Sequence, residues 1–278
     1  MPAPPPTVRQ PQSIGAAVLP ALTLWQRELV RFFRQPHRVI SAVLTPIVLW
    51  TLLGSGMDSA LVFEGIGPRP LGFRQYFFTG TLTMILLFTS IFSTITVIED
   101  RREGFLQGVL VAPVGRFAIV LGKVLGGTSI CMIHALVFLL LWPLAAPWPG
   151  AAEAMTRLAG AAGVSVIVAM LMTSLGLCIA WPMTSTAGFH ALMMLVLMPM
   201  WFLSGALFPL VTAPFWLRVL MWCNPLTYGH EALAGVLGSS AADTPLSVPV
   251  SITATTALCA AALVGAAAVV RPRRTAGG

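Results

Sequence analysis

From Leu158 to Leu217 the chain carries no Asp, Glu, Lys or Arg. One helix crosses a hydrocarbon layer of about 30 Å with roughly 20 residues, so an uncharged run of this length must turn back at least once. The turn signal is Trp181-Pro182-Met183-Thr184-Ser185-Thr186, dividing a predicted span at 158–180 from another at 189–207. Further apolar runs at 39–56, 76–98, 117–145 and 248–270 bring the expected crossings to six. The fold class is an all-α integral membrane protein, because barrel strands would alternate polar and apolar residues. Residues 22–270 form its transmembrane domain, between a flexible Pro-rich tail at 1–21 and a basic tail at 271–278.

Composition agrees: 9% of residues are charged, against about 25% in a soluble domain. The net charge of +7 invites a nucleic-acid reading, but no soluble segment is long enough to carry a basic stripe, and no nucleic-acid partner is expected. The basic residues instead flank apolar runs. Arg9, Arg27, Arg31, Arg34 and Arg38 precede the first span; Arg101, Arg102, Arg116 and Lys123 lie around the junction of the second and third; Arg271, Arg273 and Arg274 follow the last. By the positive-inside rule that side is cytoplasmic, and six spans return both termini to it. The N-terminus lacks the layout of a cleaved signal peptide, so the first spans are expected to direct insertion. Cys131, Cys178, Cys223 and Cys259 are too scattered for a disulfide framework or a zinc pair.

Between Leu22 and Arg34, Leu22, Trp25, Leu29, Phe32 and Phe33 recur at helical spacing while Arg27, Glu28, Arg31 and Arg34 fill the other face. This predicts a helix lying on the membrane surface, in contact with lipid. Between 208 and 238, Pro209, Pro214, Asn224-Pro225 and Gly229 break the apolar pattern into short or re-entrant pieces.

Searching for chemistry mostly excludes it. Lys123 follows Gly122 and precedes Val124, so no phosphate-cradling loop ending in Gly-Lys-Ser/Thr exists, and the chain is not expected to hydrolyse ATP. His230-Glu231 lacks the second His that a zinc protease needs one turn on, and no metal site is expected. Ser55 and Ser204 each lack the first glycine of an intramembrane serine-protease motif. Asp58, Glu64, Glu99, Asp100, Glu103, Glu153, Glu231 and Asp243 fall at or beyond span ends, leaving only His134 and His190 as midplane candidates for ion coupling. Energy is therefore expected to enter through the charged island from Glu99 to Arg116. There a short helix from about Arg102 to Ala112 would group Phe105, Leu106, Val109 and Ala112 on one face and stop at Pro113.

At these residues the sequence resembles the membrane-spanning subunits of type 2 ATP-binding-cassette exporters, the group of antibiotic-resistance, nodulation-factor and polysaccharide exporters. Three blocks carry the resemblance: Arg27-Glu28-Leu29-Val30-Arg31; Glu99 through Gly104 with Leu110-Val111-Ala112-Pro113-Val114 and then Gly122-Lys123; and Phe202-Leu203-Ser204-Gly205-Ala206-Leu207-Phe208-Pro209, continuing to Ala213-Pro214-Phe215-Trp216-Leu217 and Asn224-Pro225-Leu226-Thr227-Tyr228-Gly229. The first would be the family's interfacial helix, with Trp25, Arg27, Glu28 and Arg31. The second would be a cytoplasmic coupling segment that docks an ATPase subunit through Glu99, Arg101, Arg102, Glu103, Gly104, Phe105, Leu106, Val109, Leu110 and Pro113. The third would be an outer re-entrant hairpin shaped by Gly205, Pro209, Pro214, Asn224, Pro225 and Tyr228. One departure is that Phe105, Gln107 and Gly108 stand where the family often has Thr and charged residues.

The resemblance implies a permease in the bacterial plasma membrane, served by two copies of a separate ATPase subunit that bind ATP and Mg, with no cofactor on this chain. It also implies pairing with a second permease chain as a homodimer, around a pathway for an amphiphilic, hydrophobic or lipid-linked substrate. Phe88, Phe92, Met194, Met198 and Trp201 are its candidate lining. An energy-independent channel or a secondary carrier remains the alternative, and a membrane-embedded enzyme a third reading.

Overall fold

The computed structural model describes residues 14–34, 36–63, 70–106, 108, 115–240 and 244–270. Helices α1 (Ile14–Phe33) and α2 (Pro36–Met57) are followed by a two-stranded antiparallel ribbon, β1 (Val62–Phe63) and β2 (Leu71–Gly72), pairing Val62 with Gly72 and Phe63 with Leu71. Then come α3 (Phe73–Ser93), α4 (Ile95–Arg102), α5 (Arg116–Leu139), the short α6 (Trp142–Ala145), α7 (Ala151–Ala180) and α8 (Thr186–Phe202). A 3₁₀ turn at Leu210–Thr212 leads to α9 (Phe215–Cys223), α10 (Pro225–Leu237) and α11 (Val248–Val269).

Among the described residues four helical runs are long and apolar enough to cross a membrane: Phe73–Arg102, Arg116–Leu139, Ala151–Ala180 and Val248–Val269. The stretches Val43–Met57 and Thr186–Phe202 are apolar but shorter. The boundaries differ from the sequence expectation in instructive ways. Residues 14–21, expected within a flexible tail, are helical as the first turns of α1. The run at 117–145 is broken after Leu139, and α6 begins at Trp142 with Pro143 in its first turn, where a missing N–H costs nothing. α7 starts two turns early at Ala151, and Arg157 closes on Glu153 one helical turn away at 2.6 Å. α8 ends at Phe202 rather than 207, and Gly205 adopts a φ of +94° in the chain that follows.

α3 is the central helix, packed by α2, α5, α7 and α10. Phe78 stacks on Phe138 of α5 with centroids 4.5 Å apart, and Trp50 of α2 stands edge-on to both rings. α7 lies between α5, α10 and α11. α1 runs along α5 in a groove made by glycines. A Cβ at Gly122 would sit 2.7 Å from Leu24 Cβ, and one at Gly126 would sit 2.8 Å from Glu28 Cβ, so only glycine admits α1 this close. Trp25 Nε1 donates to Ser129 Oγ at 2.9 Å along the same seam.

Candidate functional site

The close approach of α1 to α5 decides what becomes of its polar face. Arg27, Glu28 and Arg31, expected to face water and headgroups, turn inward onto α4 and α5. Arg27 donates through Nη1 and Nη2 to the two oxygens of Asp100, at 3.1 and 2.8 Å. Arg31 donates to Asp100 at 3.0 Å, to Glu99 at 2.8 Å and to Glu103 at 3.3 Å. Lys123, inside α5, donates to Glu28 at 2.5 Å and also to Asp100. Asp100 is fully buried, and Glu28 and Lys123 nearly so. Carboxylates and cations this enclosed persist because each is matched and hydrogen-bonded; removing one partner of such a pair costs about 3–5 kcal/mol. The Asp100 carboxylate holds the Arg27 guanidinium above its ordinary range. Asp100 and Lys123 were therefore missed as site residues, although an acidic residue four positions ahead of the α4 turn and the chain's only lysine were visible signals.

The island itself is two pieces. Its first residues, Glu99 to Arg102, are the last turn of α4, so the helix from the second span continues through the charges instead of ending before them. The predicted coupling helix does not begin at Arg102: Glu103 and Gly104 make a turn, Gly104 takes a φ of +76° that an L side chain rarely adopts, and helical geometry resumes at Phe105. Arg27 lies over the Phe105 ring, 3.7 Å from its centroid, and Leu106 is buried with Val97, Val120, Val124, Leu177 and Ala266. The predicted apolar stripe thus starts by facing into the protein. Val109, Leu110 and Pro113 lie outside the described residues. Arg102, Glu103 and Gly104 are exposed. Arg101 is turned toward the loop between α7 and α8, where it donates to Met183 O at 2.9 Å and to Trp181 O.

Beside the ion lattice opens a cavity of about 570 Å³. α3 supplies Met84, Ile85, Phe88, Thr89 and Phe92; α8 supplies His190, Met194 and Met198; α2 adds Thr45 and Pro46; Glu28, Arg31 and Phe32 of α1 and Ile130 and His134 of α5 also line it. Four of the five predicted pathway residues are thereby brought together. Trp201 is not among them: it is buried, and its indole N–H donates to Gly80 O at 2.9 Å, pinning the end of α8 to α3. His190 stacks on Phe92 at 5.3 Å, and its Nδ1 lies 3.0 Å from Thr186 O. Since a carbonyl can only accept, Nδ1 donates in this contact. The lining is apolar with a few hydroxyls and two imidazoles, His134 and His190, and Glu28 and Arg31 are already paired within the lattice. Such a space suits a molecule of drug size and mostly apolar surface. Among the described residues no three His, Cys, Asp or Glu side chains are grouped to hold a metal ion.

At the opposite end of α8 the Pro-broken segment forms a helical hairpin, α9 and α10, hinged at Asn224. Asn224 caps α10 by accepting from Leu226 N at 3.1 Å, with Pro225 at the first helical position, and its amide donates to Met200 O at 2.7 Å. Pro214 occupies the position just before α9 without a side-chain cap, Pro209 precedes the 3₁₀ turn, and Tyr228 donates to Trp222 O at 2.8 Å. Tyr76 of α3 donates to Gly205 O, joining the hairpin's approach to the central helix. Glu231 of α10 is buried with Thr244 donating to Oε2 at 2.9 Å, and its burial raises the carboxyl above the ordinary range.

Comparison with known proteins gives a consistent likeness. The profile of the family described as ABC-2 type transporter matches residues 21–237. The "Putative transport permease ycf38" of Cyanophora paradoxa is 26% identical over 219 residues, covering 76% of this chain and 71% of the relative. Its counterpart from Porphyra purpurea is 23% identical over 211 residues, with the same coverage of 76% and 71%. The "Probable multidrug ABC transporter permease YbhR" of Escherichia coli (strain K12) is 25% identical over 174 residues, which span 62% of this chain and 46% of that relative.

Proposed function

The chain belongs to the ABC-2 type transporter family as a membrane permease subunit, and from that premise we propose that it moves an amphiphilic or hydrophobic substrate out of the cytoplasm under the drive of a separate ATPase subunit. The observation that carries this reading is the cavity beside the ion lattice: a mostly apolar space of about 570 Å³ that shares Glu28 and Arg31 with the lattice around Asp100. A substrate site and a charged segment reaching the surface at Arg102, Glu103 and Gly104 are thus mechanically joined. The ATPase subunit docks on that exposed turn, in two copies that hold ATP and Mg. Two copies of this permease pair so that their cavities face a common path, and the apolar stretches Val43–Met57 and Thr186–Phe202 complete six crossings. The charged turn and both termini lie on the cytoplasmic side of a bacterial plasma membrane, in keeping with the excess of Arg on that side.

The test is movement of a fluorescent amphiphile in vesicles holding this chain with or without the ATPase chain encoded beside it. Movement is expected only with both chains and ATP. Equal movement by this chain alone without nucleotide would turn the reading to a channel or carrier.

A further inference from the structure

The last turn of α4 has two working faces. Glu99, Asp100 and Glu103 hold α1, which lines the cavity with Glu28, Arg31 and Phe32. The other face reaches the loop that joins α7 to the start of α8, and α8 forms a different wall with His190, Met194 and Met198. There Arg101 donates from Nη1 to Met183 O at 2.9 Å and from Nη2 to Trp181 O, with its guanidinium 5.5 Å from the Trp181 ring centroid. Trp181 is the C-cap of α7, where outward-pointing carbonyls attract a cation. Arg102 Nη1 approaches Thr186 Oγ1, on the first residue of α8, at 3.4 Å. A planar guanidinium bound to two carbonyls fixes direction as well as distance, which a single ammonium contact would not. α8 is otherwise held on one face only: Phe189, Met193, Leu197 and Trp201 are buried and His190 stacks on Phe92, while Leu192, Met194, Leu195, Val196 and Met198 are exposed.

We propose that Arg101 is the positioning residue that carries movement of the island to α8, so that one push at the charged turn displaces two cavity walls, α1 through Asp100 and α8 through Arg101. This deepens the reading of the island as the point where the ATPase subunit acts, and it rests on that reading. Because α1 and α8 hang on different side chains of one helical turn, their responses are separable by substitution.

The experiment places bio-orthogonal spin labels on exposed sites of the full chain in its complex with the ATPase subunit, diluted with unlabelled permease. One pair joins Leu195 of α8 to Leu140 at the end of α5; the other joins Leu22 of α1 to Leu140. ATP and Mg are expected to shift both distances in the wild type. In Arg101→Met the α8 shift falls at least twofold while the α1 shift and co-purification of the ATPase persist. Arg101→Lys, which keeps a cation at the end of α7 but lacks the planar fork that fixes direction, gives an intermediate α8 shift and covers the case in which Arg101→Met misfolds. A full wild-type α8 shift in either variant, or equal loss of both shifts in Arg101→Lys, overturns the proposal. Failure of the wild type to retain the ATPase would instead refute the docking reading beneath it. A purely structural role would lower stability without separating the responses of the two helices.

Discussion

Asp100→Asn keeps the shape of a fully buried side chain and removes the charge that Arg27, Arg31 and Lys123 share. The cost can be apportioned. Arg27 and Arg31 keep 31% and 24% of their side chains exposed and can turn toward water, so each contributes at most about 1 kcal/mol. Lys123 has 5% exposure and cannot. Stripping a partner from a buried pair costs about 3–5 kcal/mol, and because Glu28 stays on Lys123 at 2.5 Å the lower end applies. Asp100→Asn is therefore expected to cost about 3 kcal/mol. Lys123→Met, which leaves Glu28 and Asp100 crowded together, should cost about as much or more. In the double variant neither is stranded against the other, so the combined loss should fall short of the sum by about 2–3 kcal/mol. Reversible unfolding in mixed micelles with a denaturing detergent, followed by tryptophan fluorescence, measures all four corners of this cycle. Additivity within about 0.5 kcal/mol would refute the coupled lattice.

Two further expectations follow from packing and burial. Gly126→Leu should lift α1 from α5, since even a Cβ there meets Glu28, and should cost at least about 1–3 kcal/mol; trypsin would then cut after Arg27 and Arg31 faster than in the wild type, whereas unchanged cleavage contradicts the seam. Glu231→Gln tests burial at the hairpin. Its folded carboxyl is raised above the ordinary 4.5, so the stability it contributes is full below that pH and is lost as pH rises through the folded value. The melting temperature of the variant should accordingly gain on the wild type as the pH rises above about 4.5, and a constant difference would argue against it.

Much of the helical order was legible because hydropathy and turn chemistry act locally. The Trp181-Pro182 break falls between α7 and α8, and Asn224-Pro225 starts a helix as capping rules require. Phe88, Phe92, Met194 and Met198 were named from the family resemblance, and the structure sets all four on one cavity. What was not legible depends on approach distance. Periodicity alone sends Arg27, Glu28 and Arg31 to solvent; only the depth of the Gly122 and Gly126 groove brings them onto Asp100 and Lys123. The partners of Arg101 and Trp201 were hidden for a related reason. They are backbone carbonyls at Trp181, Met183 and Gly80, and a carbonyl carries no signature in the sequence.

The most direct measurement of the central claim is ATP-driven movement of a fluorescent amphiphile by vesicles containing this chain and its ATPase subunit, with the cavity open or filled. Thr89 lines the middle of the α3 wall, and Thr89→Trp would place an indole in the space of about 570 Å³ while leaving the exposed turn at Arg102, Glu103 and Gly104 unaltered. The account predicts at least a tenfold loss of movement with the ATPase subunit still co-purifying. Movement at the wild-type rate through the filled cavity would contradict it.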